Sequence, residues 1–246
     1  MDDAESMPSR PHKKKINPTI LAAWIGLIGT FITAIFASPL LIELVKLSET
    51  QVAVTAGDST ALPSGTLVFS QNFEDGTTSG FSLRDGNWRV IRKKSGQVLE
   101  FTAVGTGWPA GTVYFGPSNI SNVMIEFQVE LKKLSGFYLN FREQSNGDSY
   151  VIGFDPNDKV IVWATTTYNG SNWNFSPIES QPFTFQQDKW YRVRVEAKNE
   201  EIIITIDGNR MLSGFDAQFS NGSLRFELQP GANILLDDVN IWALDQ

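Results

Sequence analysis

Residues 16–42 carry no charged side chain, and this run of 27 residues is the strongest constraint on what the chain can form. A helix of that length reaches about 40 Å at about 1.5 Å per residue, enough to cross a hydrocarbon core of about 30 Å. A basic cluster over residues 10–15 precedes it, whereas one acidic and one basic residue follow closely. The positive-inside rule then places the N-terminus in the cytoplasm. We predict a cytoplasmic tail over 1–15 and a single transmembrane helix with an interfacial extension over 16–47.

The sequence of this segment allows two other interpretations, a cleaved signal peptide and a buried helix of a soluble protein. A cleaved signal peptide has an apolar region of about 7–15 residues followed by a small-residue cleavage site. Here the apolar run is about twice that length and continues through Leu40, Leu41 and Ile42. A buried helix of a soluble protein would need a far larger core around it. The segment therefore favours an uncleaved signal anchor, with everything after residue 50 outside the cell membrane.

Small side chains recur every four residues along the predicted helix. They are Ala22, Gly26, Thr30, Ala34 and Ser38. This spacing puts them on one helix face, where they allow another helix to approach closely. Small residues are also common in membrane helices in general, so the sequence leaves a partner helix open.

A linker and the distribution of charge separate the anchor from the rest of the chain. Residues 48–65 are rich in Ser, Thr, Ala and Gly and end in Pro-Ser-Gly, as linkers do. Beyond the tail and the flank of the span, the chain has 23 acidic and 15 basic residues, a net charge of −8. Nucleic-acid binding needs clustered Lys and Arg, so an acidic outer domain disfavours it. The absence of cysteine excludes disulfides and thiolate chemistry.

Residues 66–246 show the two-residue alternation of half-buried strands. Ile125, Phe127 and Val129 alternate with polar residues, and similar runs occur over 137–141 and 191–197. Turns rich in Asn, Gly and Asp separate these runs. No segment of this region has a convincing helical period. The pattern predicts an all-β, two-sheet antiparallel jelly-roll sandwich preceded by one N-terminal transmembrane α-helix.

Four segments of this region, in order, carry a family resemblance. They are FSQNFEDG, GFYLNFREQSNGDSYVIGFDP, KWYRVRVEAKNEEIIITIDGNRM and ILLDDVNIW. Together they resemble the laminin-G-like, concanavalin-A-like jelly roll, in the form found in bacterial domains called 3-keto-disaccharide hydrolase or family 16 glycoside hydrolase-like. The resemblance covers roughly residues 66–244. It implies a domain that binds carbohydrate and, in some members, hydrolyses it.

The residues that catalysis would need are missing. Retaining glycosidases use two carboxylates about 5.5 Å apart, which jelly-roll enzymes usually place with Glu-x-Asp-x-x-Glu spacing. Here Glu126 and Glu130 flank Gln128, and we expect both acids on a solvated face. Metal-dependent and serine–histidine hydrolysis would need a histidine, and the one histidine, His12, lies in the tail. We therefore predict that the outer domain is not an enzyme.

Candidate ligand-binding residues lie on polar strand faces and in loops. Sugar sites combine aromatic faces with amides, carboxylates and Arg that hydrogen-bond to hydroxyl groups. The predicted residues are Tyr138, Asn140, Arg142, Tyr150, Trp163, Tyr168 and Trp173. Alternation places Trp163 outward, opposite Val160 and Val162. The alternative is that several of these aromatic side chains pack beneath loops.

One acidic residue interrupts an apolar pattern near the C-terminus. Asp237 shares the alternation of Leu235, Val239 and Ile241, which predicts that it points inward. A buried carboxylate needs backbone donors, a basic partner or a metal. Sandwiches of this type often hold a structural calcium ion where the first and last strands meet. Asn72, Glu74, Asp75 and Asp237 are then the candidate ligands, and hydrogen bonding to backbone amides is the alternative.

Two functions are consistent with these features. The first is a membrane-anchored, non-catalytic, extracytoplasmic module that binds a polysaccharide or other glycan. The second is a single-pass accessory or structural subunit whose small-residue helix face packs within a larger membrane complex. A glycoside hydrolase-like enzyme is a third and weaker alternative.

Overall fold

The computed structural model describes residues 64–170 and 172–245, and within them it contains 15 β-strands and no helix. Strand β1 begins one residue before the predicted start of the outer domain. The strands are β1 (Gly65–Gln71), β2 (Phe81–Asp85), β3 (Asn87–Lys93), β4 (Gly96–Thr102), β5 (Gly111–Ile120), β6 (Val123–Lys133), β7 (Phe137–Glu143), β8 (Ser149–Asp155), β9 (Val160–Tyr168), β10 (Trp173–Pro182), β11 (Trp190–Lys198), β12 (Glu201–Ile206), β13 (Asn209–Phe215), β14 (Gly222–Leu228) and β15 (Asn233–Leu244).

The strands form two antiparallel sheets. The first sheet has the order β13-β12-β11-β6-β15-β4-β3, and β1 also pairs with β15. The second sheet has the order β10-β9-β8-β7-β14-β5-β2. Strands distant in sequence lie side by side in both sheets, because the chain passes repeatedly between them. The prediction of an all-β, two-sheet antiparallel sandwich is confirmed.

The space between the sheets is filled by large apolar side chains. In β6 of the first sheet, Ile125, Phe127 and Val129 are fully buried. From the second sheet, Phe226 meets Phe127 edge-on, with ring centroids 5.0 Å apart. Each fully buried side chain of this size contributes roughly 1.5–3 kcal/mol. This core supports the domain without disulfides.

Four strands are not anticipated by the sequence pattern: β2, β3, β10 and β13. Strand β10 is the clearest case, because all ten of its residues are exposed and two are prolines. It lies at the edge of the second sheet, where only one side needs a hydrogen-bonding partner and proline is tolerated. With no buried face, such a strand leaves no alternation in the sequence.

Strand β15 contains a β-bulge that changes which side chains face the core. Asp237 pairs with Gln128 of β6, whereas Asn240 pairs with Glu126. Three positions along β15 therefore match two along β6, and the extra residue gives a bulge. Asp238, at this point, has a left-handed backbone conformation with φ of 47°.

The bulge makes the predicted inward orientation of Asp237 wrong. Ile234 and Leu236 face the core before the bulge, and Val239 and Ile241 face it afterwards. The alternation shifts by one position between these pairs. Asp237 therefore lies on the outer face of the first sheet and is partly exposed.

The predicted anchor lies outside the described residues. Residues 64–170 and 172–245 contain no helix that is long and apolar enough to cross a membrane. The span over 16–47, its small-residue face and the linker therefore stay predictions.

Candidate functional site

A cavity of about 340 Å³ opens on the outer face of the second sheet. Its floor comes from strands β7, β8, β9 and β14, and its sides come from β10 and from the loop between β4 and β5. The lining residues that matter most are Trp108, Tyr138, Asn140, Trp173, Phe175, Arg225, Glu227 and Gln229. The volume is at the lower end of the range typical of small-ligand sites.

Three aromatic side chains form the walls of the cavity and remain about half exposed. Trp108 is 50% exposed, Trp173 is 52% exposed and Phe175 is 47% exposed. Trp108 meets Tyr138 of the floor edge-on, with ring centroids 4.7 Å apart. Large apolar side chains that stay exposed around a cavity are typical of binding sites.

Trp173 is held in place by the turn between β7 and β8. Gly147 in this turn has φ of 90°, and an added Cβ atom would lie 2.5 Å from the Trp173 ring. The ring therefore packs directly over the glycine backbone. Tyr168, the cross-strand partner of Trp173, packs beside it with ring centroids 5.0 Å apart.

An arginine between two carboxylates forms the centre of the floor. Arg225 Nε donates to Glu143 at 2.6 Å, and Arg225 Nη1 donates to Glu227. The other oxygen of Glu143 accepts a hydrogen bond from the Tyr114 hydroxyl at 3.0 Å. These bonds use two of the five N–H donors of the guanidinium.

Asn140 extends this network towards β8 and β9. Its Nδ2 donates to Glu227 at 3.1 Å, and its Oδ1 accepts from the Ser149 hydroxyl at 3.1 Å. Ser149 in turn shares a 2.9 Å hydrogen bond with Thr166. The orientation of the Asn140 amide is thus determined, and one of its N–H groups is not used by this network. The floor offers both donors and acceptors, as a sugar hydroxyl requires.

Carboxylates outnumber cations in and behind the floor. Burial raises the pKa of Glu143, and the neighbouring Arg225 lowers it. Burial also raises the pKa of Tyr138, and the charge of Asp155 adds to this effect. Glu143 and Glu227 pair with Arg225, the one cation among the described residues that line the cavity, and Asp155 adds a third carboxylate beside Tyr138. The floor is therefore net negative when the acids are ionised.

The structure brings together three of the predicted ligand-binding residues: Tyr138, Asn140 and Trp173 line the cavity. Tyr168 lies next to Trp173, outside the cavity lining. The strand reasoning that placed Tyr138 and Asn140 on the polar face of β7 is confirmed.

Arg142 does not share that face, because β7 has a bulge. Asn140 pairs with Arg225 and Glu143 pairs with Ser223, so β7 has one residue more than β14 between these pairs. Arg142 has φ of 51° and is buried. Its guanidinium donates to the backbone oxygens of Ser121, at 3.0 and 3.1 Å, and Phe219, at 3.1 Å. Glu143, not Arg142, continues the outer face.

Tyr150 and Trp163 are core residues. Tyr150 is fully buried, donates to Asp216, and accepts a 3.2 Å hydrogen bond from the Phe219 amide. Trp163 is fully buried between the sheets, so its predicted outward orientation is wrong. Strand β9 is apolar on both faces, and alternation alone does not distinguish them. Burying the indole removes more apolar surface from water than burying a valine.

Sequence reasoning missed Trp108, Phe175, Gln229, Arg225 and Glu227. For the last two a signal was available, since they alternate with Leu224, Phe226 and Leu228 along a predicted strand. That pattern places them on the polar face, as it did Tyr138 and Asn140. Trp108 lies in a loop, and only the tertiary structure brings it over the cavity.

The two acids considered for catalysis lie on the other sheet. Glu126 accepts a hydrogen bond from Arg194 Nε at 2.9 Å and forms an ion pair with Arg194 Nη2 at 2.8 Å. Glu130 is buried and pairs with Lys132 at 3.0 Å and with Lys93 at 3.6 Å. The expectation that Glu130 is solvated is wrong, because two lysine side chains cover it.

The candidate calcium ligands are engaged within the protein. Asp75 accepts hydrogen bonds from Thr77, and Glu74 accepts one from the Gln97 amide at 2.9 Å. Asn72 accepts a longer bond from the Glu74 amide, at 3.3 Å. In the described part of the chain, no group of three or more histidine, aspartate or glutamate side chains is arranged to hold a metal ion. The calcium site stays a prediction.

Comparison with known proteins finds similar folds among solved structures but no match by sequence. No family model matches the chain, and no curated protein matches it. Among solved structures, it is similar to the carbohydrate-binding module CBM66 from Bacillus subtilis, with 17% identity over 66% of this chain and 95% of that one, at a TM-score of 0.53. It is also similar to a Bacillus subtilis protein of unknown function with a galectin-like fold. The identity is 10% over 73% of this chain and 97% of that one, at a TM-score of 0.56.

An enzyme has the same architecture. The Bacteroides ovatus GH16 protein of a mixed-linkage glucan locus, solved with a G4G4G3G product, matches with 13% identity over 70% of this chain and 99% of that one, at a TM-score of 0.51. At these identities the likeness establishes the fold alone. The described domain therefore has the galectin-like jelly-roll sandwich that occurs in both carbohydrate-binding modules and glycanases.

Proposed function

We propose that the cavity of the second sheet binds a glycan without hydrolysing it, and that a single membrane anchor displays it outside the cell. One observation carries the proposal: half-exposed aromatic walls surround a floor on which an arginine, a carboxylate and an amide converge. Trp108 and Trp173 offer flat apolar faces to a sugar ring, while Arg225, Glu227 and Asn140 serve its hydroxyls. The solved binding module of similar fold supports this proposal.

The arrangement of carboxylates supports a binding role over a catalytic one. Glycosidases place two carboxyl groups on either side of the scissile bond. Of the residues that line this cavity, only Glu227 is acidic, and Arg225 and Asn140 both donate hydrogen bonds to it. Glu143 lies on the other side of Arg225 and does not line the cavity.

The test uses the full-length chain in a detergent whose head group is not a sugar, because a glycoside detergent would compete for the site. We expect the chain to be retained by at least one neutral polysaccharide in an affinity panel that includes mixed-linkage β-glucan. Trp173→Ala should weaken this binding by about 1–1.5 kcal/mol, roughly tenfold. Phe215→Ala is the matched control, since Phe215 is a 75% exposed aromatic on β13 of the other sheet. The bound polymer should show no new reducing ends.

Two results would contradict the proposal. Release of reducing ends that disappears in Glu227→Gln would make the domain an enzyme. Failure to bind any glycan, together with purification in a stable complex with other membrane proteins, would favour the accessory-subunit alternative.

A further inference from the structure

The cavity forms a groove across the second sheet. Its lining residues come from five neighbouring strands, in the order β10, β9, β8, β7 and β14. Four inter-strand steps of about 4.8 Å give a length of roughly 19 Å. This length exceeds a single sugar ring and suits several rings in a row. Because β10 is the edge of the sheet, no further strand closes the groove there.

An aromatic surface continues beyond the cavity along β9 and β10, towards the hairpin that joins them. Tyr168 and Trp173 are direct cross-strand partners, so their side chains lie on the same outer face. Tyr168 is 44% exposed and lies outside the cavity lining, whereas Trp173 lines it. Together the two rings form a platform that leads from the cavity towards the tip of the β9–β10 hairpin.

The platform is fixed by its surroundings. The Tyr168 amide donates to Asp148 Oδ1 at 2.7 Å, which ties the hairpin to the β7–β8 turn. The Trp173 ring packs over Gly147 of the same turn. If the aromatic pair served only to stabilise the hairpin, burying the two rings against each other would suffice. Instead both rings keep about half of their surface open to solvent.

The charge of the groove restricts the sugars that fit. Arg225 is already engaged by Glu143 and Glu227, and Asp155 adds a third carboxylate beside Tyr138. A uronate or sulfate would enter a region that is net negative. Uncharged sugars avoid this repulsion.

We propose, building on the proposed function, that the ligand is a linear chain of uncharged sugars that lies along the groove and leaves it over Trp173 and Tyr168. Trp173 contacts every bound oligomer, and Tyr168 contacts only those long enough to extend past the cavity.

The experiment measures the affinity of the full-length chain for oligomers, from dimer to hexamer, of the neutral polysaccharide that it retains. In the wild type we expect affinity to rise with length and then level off. Tyr168→Ala should weaken binding of the longest oligomers roughly fivefold and leave the dimer unchanged, whereas Tyr168→Phe should restore the wild-type dependence. Trp173→Ala should weaken all lengths, and Phe215→Ala none. Melting curves confirm that each variant is folded.

Each other outcome has a defined meaning. An equal effect of Tyr168→Ala at every length shows that Tyr168 only positions Trp173 and overturns the inference alone. If Tyr168→Ala has no effect at any length, the inference is likewise overturned while the proposed function stands. The same holds if a uronate polymer binds as tightly as the neutral polysaccharide. Absence of binding by the wild type at every length overturns the proposed function, and this inference with it.

Discussion

Asp237 lies on the outer face of the first sheet, and no cation among residues 64–170 and 172–245 forms an ion pair with it. Burial raises its pKa to about 6 from an ordinary value of 3.8, and the charges of Asp238 and Glu74 add to the shift. A hydrogen bond from the Asp238 amide, at 2.8 Å, lowers the pKa but offsets only part of this rise. The folded protein therefore binds this proton more tightly than the unfolded chain does. The stabilisation that protonated Asp237 gives the folded state is complete below about pH 4. It is lost as the pH rises through about 6.

This predicts that Asp237→Asn stabilises the protein at neutral pH. The free energy of unfolding should rise by about 1 kcal/mol at about pH 7.5, a figure reduced for partial exposure of the group. At about pH 3.5 the two proteins should be equally stable. Denaturant unfolding at the two pH values measures the difference. Asp85→Asn, at an exposed aspartate of the second sheet, is the control and should change stability by less than about 0.5 kcal/mol. A pH-independent effect of Asp237→Asn would show that this carboxyl is not desolvated.

Arg142 is a buried arginine whose hydrogen bonds go to backbone oxygens. Its three bonds to Ser121 and Phe219 join the turn between β5 and β6 to the loop before β14. Burial lowers its pKa, which shows the cost of desolvating the charge. A role in stability, not in ligand contact, follows from this position.

We predict that Arg142→Met destabilises the domain by roughly 2–4 kcal/mol, because buried carbonyl groups lose their donors. Thermal or denaturant unfolding measures the loss. Glycan affinity of the folded fraction should stay within about twofold of the wild type. Weakened binding with unchanged stability would instead support the ligand contact that the sequence predicted.

At the scale of elements, the hairpins of the second sheet position the aromatic walls. The β7–β8 turn is closed by a 2.8 Å hydrogen bond from the Gln144 amide to the Asp148 oxygen. Gly147 then provides both the left-handed backbone and the flat surface on which Trp173 rests. The sequence Ser-Asn-Gly-Asp thus has a second role besides forming a turn.

Gly147→Ala should weaken glycan binding by displacing Trp173. The added methyl group would lie 2.5 Å from the indole, so the ring must move. We expect roughly a tenfold loss of affinity and a loss of stability of about 1 kcal/mol from backbone strain. Calorimetric titration and a melting curve measure the two effects.

Gly231→Ala separates the two causes. Gly231 has φ of 82°, and nothing lies within 4 Å of its added Cβ atom. Gly231→Ala should lose about as much stability as Gly147→Ala from backbone strain, and its glycan affinity should equal that of the wild type. Equal binding by both variants would mean that the position of Trp173 does not matter.

At the scale of the whole molecule, we propose that the predicted anchor displays the groove outside the cell. The basic cluster before residue 16 predicts that the tail stays in the cytoplasm. Protease added to intact cells should remove the domain after residue 50 and spare an epitope at the N-terminus. Digestion of the epitope in intact cells would reverse the orientation. Loss of the epitope from the mature chain, with release of the domain, would favour a cleaved signal peptide.

The sequence alone determined the fold class of the outer domain, because alternation is a local property that repeats in every half-buried strand. It also placed Tyr138 and Asn140 on one face of β7, where no irregularity intervenes. The same alternation would also have placed Arg225 and Glu227 on the polar face of β14.

The tertiary structure alone decided what alternation leaves undetermined. Bulges at Arg142 and Asp238 exchange the two faces of a strand, and they depend on how two distant strands pair. Trp163 lies on a strand that is apolar on both faces, so its direction follows from the packing of the two sheets. Trp108 reaches the cavity from a loop without any repeating pattern. The site is assembled from strands far apart in sequence, and only their order in the sheet brings its walls and floor together.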